Sequence, residues 1–501
     1  MSSTPSQDRL FVLARRARAQ GKLPAAELLA RRVTAAHPDD PDGWRLLGEV
    51  LAARGRADDA VQAFDRAGDG PTARLMRGLE LASAGALLQA EAELQAALAA
   101  GLDAARVHLG AVLLRMGEPD AVLRLCADRP DTPAEAALAM VARQCSEAVL
   151  GRRLPWPAPV APSEEQGATP LRRIVLWTTR PRAALTTALL AHAPAALERQ
   201  GASVTVLIDA PIPQDEAGFE VTTHLSDQAF DARLSELAPD VLLDLDGAYA
   251  LGRRGGGPAG LLDRRRAPLQ AVWTGSVDLA DGTVHDGLVD LAWVGPPPGD
   301  LPPLTPPPSL LHGHLTWGLL AHPACLGPSV RRVLQEILDA RPDDRVCLLL
   351  DEGGPDEHAR WTSRLADAGI APEQVSVRTA VDRATRRAWL SGVDVVVDGW
   401  PCSSLSGTLD ALWMGVVVLT RPSDRRAGAL AADLLRAIGR PEDVAADEPD
   451  QVRRALALAA DADARLQARR SLRQTLAEAP QADPDRAARA LLDAIDALAA
   501  G

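Results

Sequence analysis

Ser403, Ser404, Ser406, Gly407 and Thr408 lie between two apolar runs, Val393 to Asp398 and Val416 to Thr420. Both runs have the near-continuous apolar character of parallel strands covered on two faces, and the segment from Asp410 to Gly415 between them reads as helix. A strand, a small-residue loop and a helix start in immediate succession put hydroxyls and unpaired backbone N–H groups where the helix dipole favours an anion. The chemistry implied is the holding of a phosphate or diphosphate, although any strand-to-helix turn carries small residues and spacing alone leaves an ordinary turn equally open. Asp244-x-Asp246 has the spacing of a carboxylate pair that holds a divalent cation on a diphosphate. A strand end followed by a turn Asp-Gly accounts for it as well, and no metal is expected. Gly252 to Gly257, with Arg253 and Arg254 inside it, is a cationic loop that either folds over a diphosphate or stays solvated. His192, His285, His312, His314 and His322 are candidate bases by residue type only.

These groups need a scaffold, and the pattern of the chain changes twice along its length. From residue 7 to about 125 it repeats with a period close to the roughly 34 residues of tetratricopeptide helix pairs. Trp44, Leu47, Gly48, Gly55, Ala60, Phe64 and Ala67 set the register, and Gly78 with Gly85 and Gly110 with Gly117 keep the spacing of Gly48 with Gly55. The first glycine of each pair lets one helix pack closely on the next, and the second closes the turn. Residues 133–150 are expected to form a capping helix, completing an all-α part over 1–150. Residues 151–170 are Pro-rich and read as a linker.

From Leu171 strands alternate with helices, which gives an α/β fold with parallel sheets. Strands are expected at Arg173 to Thr179, Ser203 to Asp209, Val241 to Leu245, Leu269 to Trp273 and Leu288 to Val294, forming a first Rossmann-like lobe over 171–308. A second lobe over 309–501 has strands at Arg345 to Leu350, Gln374 to Val377, Val393 to Val397 and Val416 to Thr420. Its last helices, from about Pro449 to Ala500, carry no evident chemistry. A ligand belongs in the cleft at the carboxyl ends of the strands.

The net charge of −13 over 501 residues argues against nucleic acid or an anionic membrane surface as partner. Cys126, Cys145, Cys325, Cys347 and Cys402 show no CxxC spacing, so neither a disulfide framework nor a zinc site is expected. No signal-peptide pattern opens the chain and no run suits a membrane helix, so a cytoplasmic location is expected. There is one lysine, Lys22, and no asparagine, so arginine carries the basic role.

The motifs resemble the O-linked N-acetylglucosamine transferase and SPINDLY family. Val397-Asp398, Pro401-Cys402, Ser406-Gly407-Thr408 and Asp410-Ala411-Leu412-Trp413-Met414-Gly415 are similar to its C-terminal signature. Arg265-Arg266-Ala267-Pro268-Leu269-Gln270-Ala271-Val272-Trp273-Thr274-Gly275, after Asp240 to Gly247, is similar to its upstream motif. The resemblance implies a helical solenoid followed by two facing lobes of GT-B type. It also implies a nucleotide-diphosphate sugar as donor, with no cofactor. The diphosphate would lie on Ser404, Ser406, Gly407 and Thr408, the ribose on Asp410 and the base near Arg386, with Arg253 and Arg254 as further phosphate contacts.

Several positions depart from the family. The lysine that meets the leaving diphosphate falls on Cys325, and histidines near the reacting centre fall on Ala184 or Ala188 and on Leu405. The base-contacting histidine is Arg386. Losing one preorganised donor costs on the order of 3 kcal/mol in the transition state. Arg180, Arg182, Arg253, Arg254, Arg386 and Arg425 are candidate replacements, because guanidinium pairs well with phosphate oxygens. The expected function is sugar transfer from a UDP-GlcNAc-like donor to Ser or Thr hydroxyls of a protein recruited in the repeat groove. A catalytically inactive binding scaffold is the alternative. The family's groove grips its substrate with an asparagine ladder, which this chain cannot build.

Overall fold

A computed structural model describes residues 5–126, 133–149, 172–178, 184–209, 219–222, 225, 227–245, 265–273, 287–289, 301–350, 353–380 and 383–500. The first eight helices stack in sequential pairs: α1 (Pro5–Ala19) with α2 (Leu23–Ala36), α3 (Pro41–Ala53) with α4 (Ala57–Arg66), α5 (Pro71–Ser83) with α6 (Leu87–Ala99), and α7 (Ala105–Arg115) with the short α8 (Pro119–Leu125). A Cβ on Gly48 would lie 2.5 Å from the Phe64 ring, so only glycine lets α3 meet α4 this closely. Gly55 closes the turn between them at φ +73°.

Helix α9 (Pro133–Cys145) was expected as a cap. It packs on α7 and α8, and it also meets a 3-10 turn at Pro323–Cys325 of the second lobe. One buried core runs from α5 through α9 into that lobe, from Leu75 and Leu138 to Trp361 and Val397. At the same seam Arg360 and Arg364 donate to the Met116 carbonyl, and Arg364 pairs with the Glu118 carboxylate. The solenoid is therefore built onto the second lobe.

The first lobe contains β1 (Arg173–Thr178), α10 (Ala184–Arg199), β2 (Ser203–Ile208), β3 (Glu220–Val221), α11 (Asp227–Leu237), β4 (Val241–Asp244), β5 (Leu269–Trp273) and β6 (Gly287–Val289). Its strands are parallel in the order β3-β2-β1-β4-β5-β6. The second lobe begins with α12 (Ser309–His312), β7 (Thr316–Leu319), α13 (Pro328–Ala340), β8 (Arg345–Leu350), α14 (Pro355–Asp367), β9 (Val375–Thr379) and α15 (Arg383–Ser391). It continues with β10 (Val395–Val397), α16 (Leu405–Trp413), β11 (Val417–Leu419), α17 (Arg426–Ala437), α18 (Glu448–Ala460), α19 (Ala462–Ala477) and α20 (Pro484–Ala500). This sheet is also parallel, in the order β11-β10-β7-β8-β9.

Two strands were not expected from sequence, β3 and β7, and β7 is the centre of its sheet. Two buried carboxylates pin its entry. Asp394 accepts from the Ser309 and Thr316 amides, and Asp344 accepts from the Leu315 amide and the Trp317 indole. The lobes share a second core, in which residues of β1, α10 and β5 join Leu405, Leu409 and Trp413 of α16. Helix α20 crosses back to pack on α10, where Arg199 Nε donates to Asp485 at 2.9 Å.

Candidate functional site at the mouth of α16

In the second sheet the chain leaves β7 toward β8 and β9, then returns to the other side of β7 as β10. The order reverses between β7 and β10, and a crevice beyond the carboxyl ends of such a strand pair is where open parallel sheets bind ligands. Two segments meet there, the turn after β7 through Leu320 and His322 and the loop from Asp398 to Ser404 that leads into α16.

Asp398, at the end of β10, organises that loop. One carboxylate oxygen accepts the Gly399 and Ser404 amides at 2.8 and 2.9 Å, and the other accepts the Thr420 hydroxyl at 2.8 Å. Full burial pushes its pKa up to about 6 while these hydrogen bonds favour the charged form. Ser403 is held by α17, its amide and hydroxyl donating to the Ala427 carbonyl.

Ser404 is the N-cap of α16. Its hydroxyl accepts the Gly407 amide at 3.2 Å, and its carbonyl accepts the Thr408 amide at 2.8 Å. The Gly407 amide, expected as a ligand donor, is thus occupied by the cap. The Leu405 and Ser406 amides make no hydrogen bond among the described residues. Ser406 is half-buried whereas Leu405 and Gly407 are buried. The Thr408 hydroxyl is also buried without a hydrogen-bond partner among the described residues. Gly407 is required by packing, since a Cβ there would overlap the Leu320 carbonyl oxygen at the end of β7.

Asp410, one turn further, is 6% exposed. Its carboxylate faces Arg386 of α15 at 3.5 Å, so two of the expected contacts pair with each other. His322 sits three residues beyond β7, and its Nδ1 accepts the Ala324 amide at 3.2 Å. That bond leaves the proton of the neutral ring on Nε2. His192 lies in α10, and His312 and His314 stack at 5.8 Å ahead of β7, at the opposite end of the sheet from the crevice.

Cys325, where the resemblance puts the family's lysine, is 2% exposed as a small core residue, and its sulfur lies 3.9 Å from that of Cys145 on α9. Arg425 donates to the carbonyls of Arg143 and Ser146 at the end of α9. These bonds hold its Nη1 at the seam between α9 and the second lobe. Leu405 is buried in the core shared by the lobes, and Ala184 and Ala188 belong to α10, the helix that packs on α16. Asp244 is buried at the end of β4. Arg180, Arg182, Asp246, Arg253, Arg254, His285 and the linker 151–170 lie outside the described residues.

Comparison with known proteins fits this arrangement. Residues 11–74 match the tetratricopeptide repeat, and residues 326–485 match glycosyl transferase family 41. Two proteins named probable UDP-N-acetylglucosamine–peptide N-acetylglucosaminyltransferase SPINDLY are similar. That of Petunia hybrida is 25% identical over 52% of this chain and 30% of its own length. That of Oryza sativa subsp. japonica is 27% identical over 50% of this chain and 29% of its own. The chain therefore spans under a third of either relative. A solved mutant O-GlcNAc transferase of Thermobaculum terrenum shares the fold with TM-score 0.64 and 23% identity, over 100% of this chain and 98% of that one. One chain thus carries a segment similar to the tetratricopeptide repeat and a segment similar to glycosyl transferase family 41, on a fold shared with a solved GT-B protein.

Proposed function

We propose that this divergent family 41 relative is a glycosyltransferase that moves a sugar from a nucleotide-diphosphate donor of UDP-GlcNAc type to a Ser or Thr hydroxyl of a protein. The observation that carries the reading is the α16 mouth at the strand-order reversal, with two amides that have no partner among the described residues, inside the matched region. The Leu405 and Ser406 amides and the orphaned Thr408 hydroxyl receive the diphosphate, and Asp410 with Arg386 takes the ribose and base side. Breaking the anomeric C–O bond sends its electron pair to the diphosphate, where the helix dipole stabilises it without a metal or cofactor. The acceptor oxygen forms the new bond, and its proton passes to the departing diphosphate or to water. His322, protonated on Nε2 as a neutral ring, suits donation to the departing phosphate better than removal of the acceptor proton.

The acceptor protein is recruited by the solenoid. Because α9 and the third and fourth helix pairs share their core with the second lobe, a bound protein is held at a fixed place relative to the crevice. No helix among the described residues is long and apolar enough to cross a membrane. Five reduced cysteines accord with a cytoplasmic setting. The test is calorimetric titration with UDP, GDP and their sugars. Wild type is expected to bind one equivalent, Asp410→Ala is expected to lose about tenfold or more in affinity, and labelled sugar is expected to pass to protein in a lysate. Wild type that binds neither nucleotide would overturn the reading.

A further inference from the structure

Three of the five cysteines, remote in sequence, meet at one buried point. Cys145 ends α9, Cys325 ends the 3-10 turn before α13, and Cys402 lies in the loop between β10 and α16. The Cys145 sulfur is 3.9 Å from that of Cys325 and 3.6 Å from that of Cys402, and the three sulfurs lie within 4.8 Å of one another. All three residues are 2% exposed. Zinc–thiolate bonds of about 2.3 Å in tetrahedral directions set sulfurs about 3.8 Å apart. The two separations from Cys145 bracket that edge, so the three sulfurs stand close to the spacing that a single ion requires.

The backbone around the sulfurs is fixed independently of any ion. The Trp400 amide donates to the Cys325 carbonyl at 2.9 Å, and a Cβ on Gly399 would lie 2.9 Å from both the Cys325 Cβ and the Cys402 carbonyl oxygen. The Arg425 guanidinium, bound to the carbonyls of Arg143 and Ser146, brings a positive charge beside the group.

We propose that Cys145, Cys325 and Cys402 form a site for one thiophilic divalent cation of the zinc class, which staples the solenoid to the second lobe beside the loop from Asp398 to Ser404. Binding converts three thiols to thiolates and releases three protons. The resulting metal–trithiolate carries one negative charge facing Arg425. A fourth ligand comes from solvent or from outside this triad. The role is structural, because the ion is enclosed by α9 and bears on α16 only through the Cys402 loop.

The test uses the reduced, chelator-stripped full chain titrated with cobalt(II) chloride and then zinc(II) chloride. Wild type is expected to take one equivalent, with intense sulfur-to-cobalt charge-transfer absorption that zinc abolishes. Cys402→Ser and Cys402→Ala are each expected to weaken binding by about tenfold or more. Cys126→Ser and Cys347→Ser, which remove cysteines outside the triad, are expected to leave it unchanged. Absence of the charge-transfer band in folded wild type would overturn the proposal, as would equal binding by wild type and the Cys402 variants. A Cys145–Cys402 disulfide found by mass spectrometry in anaerobically prepared protein would also overturn it.

Discussion

Asp398 shows how one side chain shapes the site without touching a ligand. Its carboxylate gathers the Gly399 and Ser404 amides, which turns the loop so that α16 starts beneath the end of β7. Burial is the largest influence on its titration and raises its pKa from the ordinary aspartate value of 3.8 to about 6. Between those values the folded state holds a proton that the unfolded chain has released, so this group's contribution to stability falls as pH rises from about 4 to about 6. The change is on the order of 3 kcal/mol. Many other carboxylates titrate oppositely, for example Glu448, whose pairing with Arg332 and Ser329 lowers its pKa against burial. The effect must therefore be isolated by difference. The stability advantage of wild type over Asp398→Asn is expected to be larger at pH 4 than at pH 7 in urea unfolding. An advantage that grows with pH would contradict this account of Asp398.

At the scale of elements, the contact of α16 with the end of β7 sets the height of the helix mouth. Gly407→Ala drives a methyl group into the Leu320 carbonyl, which is backbone and cannot swing aside. A loss of about 1–3 kcal/mol in stability is expected, together with weakened nucleotide binding. Calorimetry and thermal unfolding measure the two, and unchanged binding would mean that the mouth is not the ligand site. The unit β10–α16–β11 was legible from sequence because Val393 to Val397 and Val416 to Thr420 are dense aliphatic runs around small residues. The strand they pack beside was not. In β7, Gly318 and Trp317 interrupt the aliphatic pattern, and Gly318 is there because Val393 and Trp389 occupy the space of a side chain. Missing β7 hid the strand-order reversal, and with it the reason that His322 stands apart from the other histidines.

At the scale of the whole molecule, the solenoid and the second lobe form one body through α9, Arg360, Arg364 and a continuous core. Arg364→Glu sets like charges against Glu118 and leaves the Met116 and Gly117 carbonyls without this donor. It is expected to loosen the seam, so that limited proteolysis separates an N-terminal helical fragment from the lobes while wild type resists. Equal resistance would show that the seam does not depend on this arginine. Sequence periodicity gave the repeats and the two parallel lobes. It did not give the seam, because contacts such as Arg425 with Arg143 or Cys145 with Cys402 join residues with no local pattern between them. For the same reason, the lack of CxxC spacing said nothing about thiols that meet only after folding.

The claim on which the functional account depends is that the α16 mouth holds a diphosphate, and Ser406→Asp tests it most directly. A carboxylate in the first turn favours the helix by about 0.3–1 kcal/mol while competing with a bound anion. The prediction, read by calorimetric titration with UDP and GDP alongside thermal unfolding, is a variant at least as stable as wild type whose nucleotide affinity falls by about tenfold or more. Nucleotide binding that is equally tight in wild type and Ser406→Asp would contradict the account.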